Sequence, residues 1–124
     1  MLANATITTL LGTVKAEAAK AFYQDVLGLK FLTDDSYAMV FEGKNTHIRV
    51  SRVPVVSPTQ YAVLGFTVED IEKSIDDLRA KGVIFARFGF FVQDERGIWT
   101  APDGTKVAWF HDPDLNMLSL VQHA

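Results

Sequence analysis

The sequence predicts an α+β fold made of two similar modules, each with the order strand, helix and three strands (βαβββ). The chain can be laid over itself, because a strand pattern, a helix pattern and several short strand patterns occur twice in the same order. Two prolines, Pro54 and Pro58, mark the connector between the copies. We therefore expect one domain over residues 1–124, with module 1 at about 1–53 and module 2 at about 61–124.

Module 1 opens with a strand pattern over residues 5–11, which puts Thr6, Thr8 and Leu10 on one face and the other side chains, Ile7, Thr9 and Leu11, on the opposite face. A helix is predicted over residues 16–27, because apolar side chains recur there at three- and four-residue spacing. Gly28 suits the left-handed position that ends a helix. Three strand patterns separated by turn-prone clusters follow, at residues 30–33, 37–42 and 47–52.

Module 2 starts the same order again with a strand predicted over residues 61–67. Glu69 and Asp70 place negative charge in the first turn of the helix that follows, and Lys81-Gly82 ends it. Four further strand candidates span residues 84–88, 99–101, 106–111 and 117–121. Residues 90–101 exceed the minimal module, and two interpretations of this insertion stay open: a lid over a cavity or an exposed acidic turn.

Composition excludes several classes of protein. The 124 residues, 48% hydrophobic and 22% charged, are typical of a globular domain with its own core. The absence of cysteine excludes thiol catalysis and cysteine-ligated metal sites. A formal charge of −3 without a basic run argues against nucleic acid as a partner. No stretch approaches the roughly 20 apolar residues of a membrane span, so we expect a cytoplasmic protein.

Three segments carry a resemblance to a known family: AFYQDVLGLKFL in module 1, VEDIEKSIDDLRAKGV in module 2 and WFHDPDLNMLSLVQ near the end. In this order and spacing they resemble the glyoxalase, bleomycin-resistance protein and extradiol dioxygenase superfamily, also called the vicinal oxygen chelate superfamily. The resemblance covers nearly the whole chain. It implies that the paired modules curl into an incomplete barrel around a ligand cavity, with the helices outside, and that the protein is a homodimer.

The resemblance also implies where a metal would bind. In the metalloenzymes of this family, four cavity-facing strand positions supply His, Glu or Gln ligands. The corresponding positions here are Thr8, Arg49, Val63 and Ser119. Valine has no donor atom and arginine brings a permanent positive charge, so we expect no metal at the usual site and no other cofactor. Leu115 also departs from the family motif, which has glycine there and so tolerates a positive φ.

Arg49 is the first candidate for ligand binding. Alternation along its strand puts Arg49 and His47 on one face, with Ile48 and Val50 on the other. A guanidinium group in a cavity needs an anion. Two interpretations stay open: an internal ion pair with Glu42 or another acid, or recognition of an acidic ligand.

The other cavity candidates are polar or aromatic side chains on the predicted strands. They are His47, Thr8, Ser119, Trp99, Trp109 and Tyr37. Tryptophan combines a large contact area with one hydrogen-bond donor, which suits a planar or apolar ligand. Alternation puts Trp109 and Phe110 on opposite faces, so the two cannot serve one surface.

These observations favour a protein that binds a small organic ligand, an anion if Arg49 takes part, without the usual metal of the family. The alternative is an enzyme of the same superfamily, of lyase, isomerase or dioxygenase type. It would work without metal or with a divalent metal relocated to some of His47, Glu42 and His111. A third hypothesis is a structural or regulatory interaction protein whose cavity is filled by aromatic side chains.

Overall fold

The computed structural model describes all 124 residues. The chain divides into two units, Met1–Ser57 and Pro58–Ala124. Each unit has the order strand, helix and three strands, and each forms one four-stranded mixed sheet. The predicted α+β class and the paired βαβββ modules are therefore confirmed, while the incomplete barrel stays a prediction. No helix has both the length and the apolar character needed to cross a membrane.

Unit 1 contains four strands and one helix. Its elements are β1 (Thr8–Thr13), α1 (Ala16–Ala21), β2 (Lys30–Asp34), β3 (Ala38–Gly43) and β4 (Thr46–Arg52). The strand order is β1-β4-β3-β2, with β1 parallel to β4 and the other pairs antiparallel. The first strand lies two to three residues later than predicted, because its parallel pairing with β4 continues to the pair Thr13 and Arg52.

Helix α1 continues as a π-helical turn over Phe22–Val26, in which the N–H group of Leu27 donates to the carbonyl of Phe22. Gly28 follows with a φ of +74°, as predicted for the residue that ends the helix. The apolar stripe of the helix reaches the sheet through Tyr23, whose ring centroid lies 5.7 Å from that of Phe41. Both side chains are fully buried, so this face of the sheet is the core of unit 1.

Unit 2 repeats the plan with β5 (Leu64–Thr67), α2 (Ile71–Ala80), β6 (Trp99–Thr100), β7 (Lys106–His111) and β8 (Met117–Gln122). The strand order is β5-β8-β7-β6, and β5 runs parallel to β8. The carboxylate of Asp70 caps α2 by accepting a hydrogen bond from the Lys73 N–H, and the Gln122 side chain accepts from the Ile71 N–H. Ile71 and Ile75 are fully buried.

The strand predicted over residues 84–88 is wrong. This stretch has irregular backbone and reaches the sheet through one hydrogen bond, from the Ala86 N–H to the carbonyl of Trp109. The side-chain amide of Gln93 takes the place of a strand partner, because it bonds the carbonyl of Ala86 and the N–H of Phe88. The segment is apolar like a strand, but its backbone bonds β7 at one point and the Gln93 side chain at two, without the ladder of a strand.

Candidate functional site

The face of the unit 1 sheet that carries Arg49 lies opposite the core. Ile48 and Val50, the neighbours of Arg49 along β4, are buried, whereas Arg49 is half-buried. Across the sheet Arg49 is paired with Leu10 of β1 and Val40 of β3, so these three side chains share one face. We call this surface the open face of unit 1, since Leu10 is 68% exposed on it.

Arg49 forms an ion pair with Asp35, in the turn between β2 and β3. The Arg49 Nη2 lies 3.2 Å from the Asp35 Oδ2. The other carboxylate oxygen of Asp35 accepts hydrogen bonds from the N–H groups of Tyr37 and Ala38, at 3.0 and 2.8 Å. These backbone bonds, with the guanidinium of Arg49 in addition, lower the pKa of Asp35. Of the partners considered for Arg49, the structure therefore shows another acid and not Glu42.

A second ion pair nearby is much tighter. Arg52 holds Asp34 with two hydrogen bonds, Nη1 to Oδ1 at 2.7 Å and Nη2 to Oδ2 at 2.8 Å. The hydrogen bond from Arg52 is the main reason that the pKa of Asp34 falls to about 2. Both arginine side chains are 36% exposed, so solvent exposure does not explain the difference. Arg49 makes a single, longer bond and keeps donors that Arg52 has already used.

The remaining unit 1 candidates lie just before β3 and near the starts of β1 and β4. Tyr37 is 79% exposed and precedes β3, where its N–H group and not its hydroxyl makes the contact with Asp35. Thr8 is exposed at the start of β1 and pairs with His47. His47 in turn pairs with Glu42, and both residues line an open depression of about 470 Å³.

The unit 2 sheet also has one face opposite its core. The register places Gly65, Ser119 and Trp109 side by side on three strands of that face. Phe110 and Leu118 are fully buried on the other face, so Trp109 and Phe110 do point in opposite directions. Ser119 is buried, and a Cβ atom at Gly65 would lie 3.0 Å from its Oγ.

An aromatic cluster covers this face beside Trp109. It consists of Phe88, Phe90, Phe91, Trp99 and Trp109. The ring of Phe91 is stacked on Trp109 with centroids 5.2 Å apart, and its centroid lies 4.9 Å from that of Trp99. Phe88 meets Trp109 edge-on at 5.4 Å. Both tryptophans of the chain are thus in one group of contacting rings.

The cluster borders an open depression of about 630 Å³. Its lining includes Phe91 and Trp99 together with Phe90, which is 78% exposed, and Val92, which is 90% exposed. Aromatic and apolar side chains in such a depression offer contact area to a flat or apolar molecule. The depression lies on residues of unit 2 alone.

Residues 86–98 hold part of this cluster and are fixed at several points. The Gln93 side chain donates to the carbonyls of Ala86 and Gly97, at 3.0 and 2.8 Å, and accepts from the Phe88 N–H at 2.8 Å. Arg96 binds both carboxylate oxygens of Asp76 on α2, at 3.0 and 3.1 Å. These bonds tie residues 86–98 to one another and to α2, and the lid over a cavity stays a prediction. Sequence reasoning missed Gln93, since a lone glutamine carries no spacing signal.

The turn between β7 and β8 shows the departure from the family motif. Leu115 adopts a φ of +67°, a conformation that costs less for glycine than for a branched residue. The carboxylate of Asp112 holds the turn by accepting from the N–H groups of Asp114 and Asn116, both at 2.9 Å. Leu115 is exposed, so nothing in its surroundings requires leucine.

Comparison with known proteins settles the family. Residues 7–120 match the family model described as the Glyoxalase/Bleomycin resistance protein/Dioxygenase superfamily. The chain belongs to this superfamily. The resemblance seen in the sequence is thereby confirmed over nearly its whole length.

This superfamily member is similar to other proteins in sequence and in fold. It is 30% identical over 114 residues to the uncharacterized protein YraH of Bacillus subtilis (strain 168), covering 80% of this chain and 83% of that one. A solved superfamily structure from Sphaerobacter thermophilus DSM 20745 has a TM-score of 0.76 at 19% identity, covering 99% of this chain and 100% of that one. The lactoylglutathione lyase of Agrobacterium tumefaciens has a TM-score of 0.74 at 17% identity, covering 96% and 93%.

The residues that the resemblance assigns to the metal positions do not have the donor groups that a divalent cation needs. In unit 1, Thr8 offers one hydroxyl and Arg49 a cation that is already bound to Asp35. In unit 2, Ser119 offers one hydroxyl, and Val63, just before β5, offers only its backbone, whose N–H group donates to Met117. Divalent cations in proteins need carboxylate, imidazole or several carbonyl oxygens. No group of three or more His, Asp or Glu side chains elsewhere is arranged to hold a metal ion.

Proposed function

We propose that this superfamily member binds a small organic molecule and does so without the usual metal of the family. The main observation that supports this proposal is the aromatic cluster. Trp99, Trp109 and Phe91 are half-buried and in mutual contact, and two of them, Phe91 and Trp99, line an open depression. Aromatic rings in that position bind planar or apolar ligands through contact area and stacking.

Unit 1 supports a preference for acidic ligands. Arg49 lies on an open face between Leu10 and Val40, and its single 3.2 Å bond to Asp35 leaves guanidinium donors unused. A carboxylate, sulfonate or phosphate group is the natural partner for such donors. The proposal therefore includes an organic anion with an apolar part as the class of ligand. The homodimer that the resemblance implies and the cytoplasmic location expected from the composition belong to the same proposal.

Tryptophan fluorescence tests the proposal directly, because both tryptophans of the chain lie in the aromatic cluster. Titration with a panel of planar aromatic compounds, neutral, anionic and cationic, should give saturable quenching for some of them. Phe91→Leu should weaken that binding several-fold, as expected for an aromatic pair worth about 1 kcal/mol. Phe31→Leu is the matched control, since Phe31 is a half-buried ring in unit 1, which has no tryptophan. Equal responses of the two variants, or no quenching by any compound, would count against the proposal.

One observation favours the alternative of an enzyme with a relocated metal. Glu42 and His47 are paired across β3 and β4 and line the same depression, which brings two ligand types together. A relocated site predicts that one divalent ion raises the melting temperature of the protein, since only the folded state would bind it. His47→Ala should then abolish the shift, with His123→Ala as the control. No shift with any of Mn²⁺, Ni²⁺, Cu²⁺ or Zn²⁺ would exclude this alternative.

A further inference from the structure

Arg49 and Asp35 form an exposed ion pair with a single hydrogen bond of 3.2 Å. We propose that Asp35 is an internal competitor that occupies Arg49 when no ligand is present, so that an organic anion binds by displacing it and Asp35 sets the affinity. This inference rests on the proposed function, because it describes how the ligand's acidic group reaches Arg49.

The geometry shows which part of the contact can be exchanged. The Asp35 Oδ1 accepts the two backbone N–H groups that form the turn, whereas the Oδ2 has Arg49 as its partner. The turn therefore stays intact when the Oδ2 loses the guanidinium. A ligand carboxylate or sulfonate replaces one charge-assisted hydrogen bond and adds the unused donors of Arg49.

The neighbouring ion pair, between Arg52 and Asp34, has a stronger geometry than that of Arg49 and Asp35. Arg52 holds Asp34 with two bonds below 3.0 Å, in the parallel arrangement typical of a strong arginine–carboxylate pair. Arg49 holds Asp35 with one bond at 3.2 Å. An exposed ion pair of that kind contributes little to stability, so its exchange for a ligand costs little.

The surroundings of Arg49 define the class of ligand. Leu10 and Val40 flank it on the open face, and Leu10 is largely exposed. An anion with an attached apolar group contacts both the guanidinium and these apolar side chains, whereas a small inorganic anion contacts the guanidinium alone. The structure thus favours an aromatic or aliphatic acid over phosphate or sulfate.

Two dyes with one skeleton test the inference. 8-Anilinonaphthalene-1-sulfonate and N-phenyl-1-naphthylamine differ by the sulfonate group, and both become fluorescent in apolar sites. We expect Asp35→Asn to raise the affinity for the sulfonate dye roughly threefold, within the range that exposed ion pairs contribute, and to leave the affinity for the neutral dye unchanged. Arg49→Gln should lower the affinity for the sulfonate dye and leave the neutral dye unaffected.

Asparagine is the appropriate replacement because its side-chain oxygen still accepts from the N–H groups of Tyr37 and Ala38. Asp34→Asn is the matched control, since it removes the same charge one residue away and touches Arg52 instead. Asp35→Ser, whose hydroxyl also accepts from turn N–H groups, replaces Asp35→Asn if that variant does not fold. Near-ultraviolet circular dichroism establishes that each variant keeps its aromatic packing.

The outcomes separate the inference from the proposed function. If the neutral dye binds but the ratio of the two affinities is the same in wild type, Asp35→Asn and Asp34→Asn, then Asp35 is not a competitor and the proposed function stands. If neither dye binds any of the proteins, both are overturned. If the sulfonate dye binds Asp35→Asn and not the wild type, the inference is supported in its strongest form.

Discussion

Phe91 lies parallel to Trp109, with 5° between the two ring planes and 5.2 Å between their centroids. The two residues are far apart in the sequence. Trp109 is placed by the register of β7, whereas Phe91 is placed by a loop without regular structure. The stack therefore depends on the contacts that position that loop. Among these contacts, the Gln93 side chain makes three hydrogen bonds to the loop backbone.

Replacing Gln93 should accordingly disturb the aromatic cluster. Gln93→Leu keeps the approximate size of the side chain but leaves the carbonyls of Ala86 and Gly97 and the N–H of Phe88 without their partner. We expect a loss of about 1–3 kcal/mol in the free energy of unfolding, the usual cost of unsatisfied polar groups, and a weaker near-ultraviolet dichroism signal from tryptophan. Urea unfolding measures the first. Gln24→Leu, an exposed glutamine in unit 1, is the control, and identical stabilities of the two variants would contradict the role given to Gln93.

The directions of strand side chains could be predicted from the sequence, whereas the partners of the loop and turn residues could not. Alternation along a strand is a local property with a period of two, so it correctly gave the directions of Arg49 and Trp109. The segment at 84–88 makes two of its backbone hydrogen bonds to the side chain of Gln93, several positions later, and no periodicity encodes that. Asp35 could not be chosen over Glu42 as the partner of Arg49, because the pairing of β2 with β3 shifts between Phe31 and Thr33.

The turn at Leu115 predicts a stabilising substitution. Leu115→Gly removes a side chain from a residue with a φ of +67°, where a non-glycine residue is unfavourable by roughly 1–2 kcal/mol. The greater freedom of glycine in the unfolded chain offsets about 0.4–1 kcal/mol of this gain. We expect a net stabilisation of about 0.5–1 kcal/mol, measured as a higher urea midpoint with an unchanged slope.

Asn45→Gly is the matched control for Leu115. Asn45 has a φ of +60°, but asparagine adopts this conformation far more readily than leucine. Its replacement should change the stability little or lower it slightly. A gain at Asn45 as large as at Leu115 would mean that the backbone conformation is not the cause.

The close approach of Gly65 to Ser119 predicts a coupling between the two positions. A Cβ atom at Gly65 would lie 3.0 Å from the Ser119 Oγ, so Gly65→Ala should destabilise the protein while serine is present. In a Ser119→Ala background the hydroxyl is absent, and the same substitution should be neutral or stabilise by up to about 1 kcal/mol, since alanine restricts the unfolded chain. Urea unfolding of the four proteins gives the coupling free energy, and strictly additive effects would show that the two side chains do not compete for this space.

Acid should weaken the fold over a defined range of pH. Four carboxyl groups have lowered pKa values, those of Asp34, Asp35, Asp76 and Asp103. The pKa of Asp34 falls to about 2, and the main cause for Asp34 and Asp76 is a hydrogen bond from an arginine. For Asp35 and Asp103 the main cause is hydrogen bonds from backbone N–H groups. Between an unfolded pKa near 4 and the lower folded values, the unfolded state binds more protons.

The stability that these carboxylates contribute is thus fully present above about pH 4 and is lost as the pH falls toward 2. We expect the urea midpoint to be level from pH 7 to 5 and to fall below pH 4. Asp34→Asn should reduce that fall, because it removes a carboxyl group whose pKa is lowered to about 2. Glu17→Gln, an exposed position without an ion pair in the structure, should leave it unchanged. A midpoint that falls as steeply in Asp34→Asn as in the wild type would show that the pairing of Asp34 with Arg52 does not contribute to the acid sensitivity.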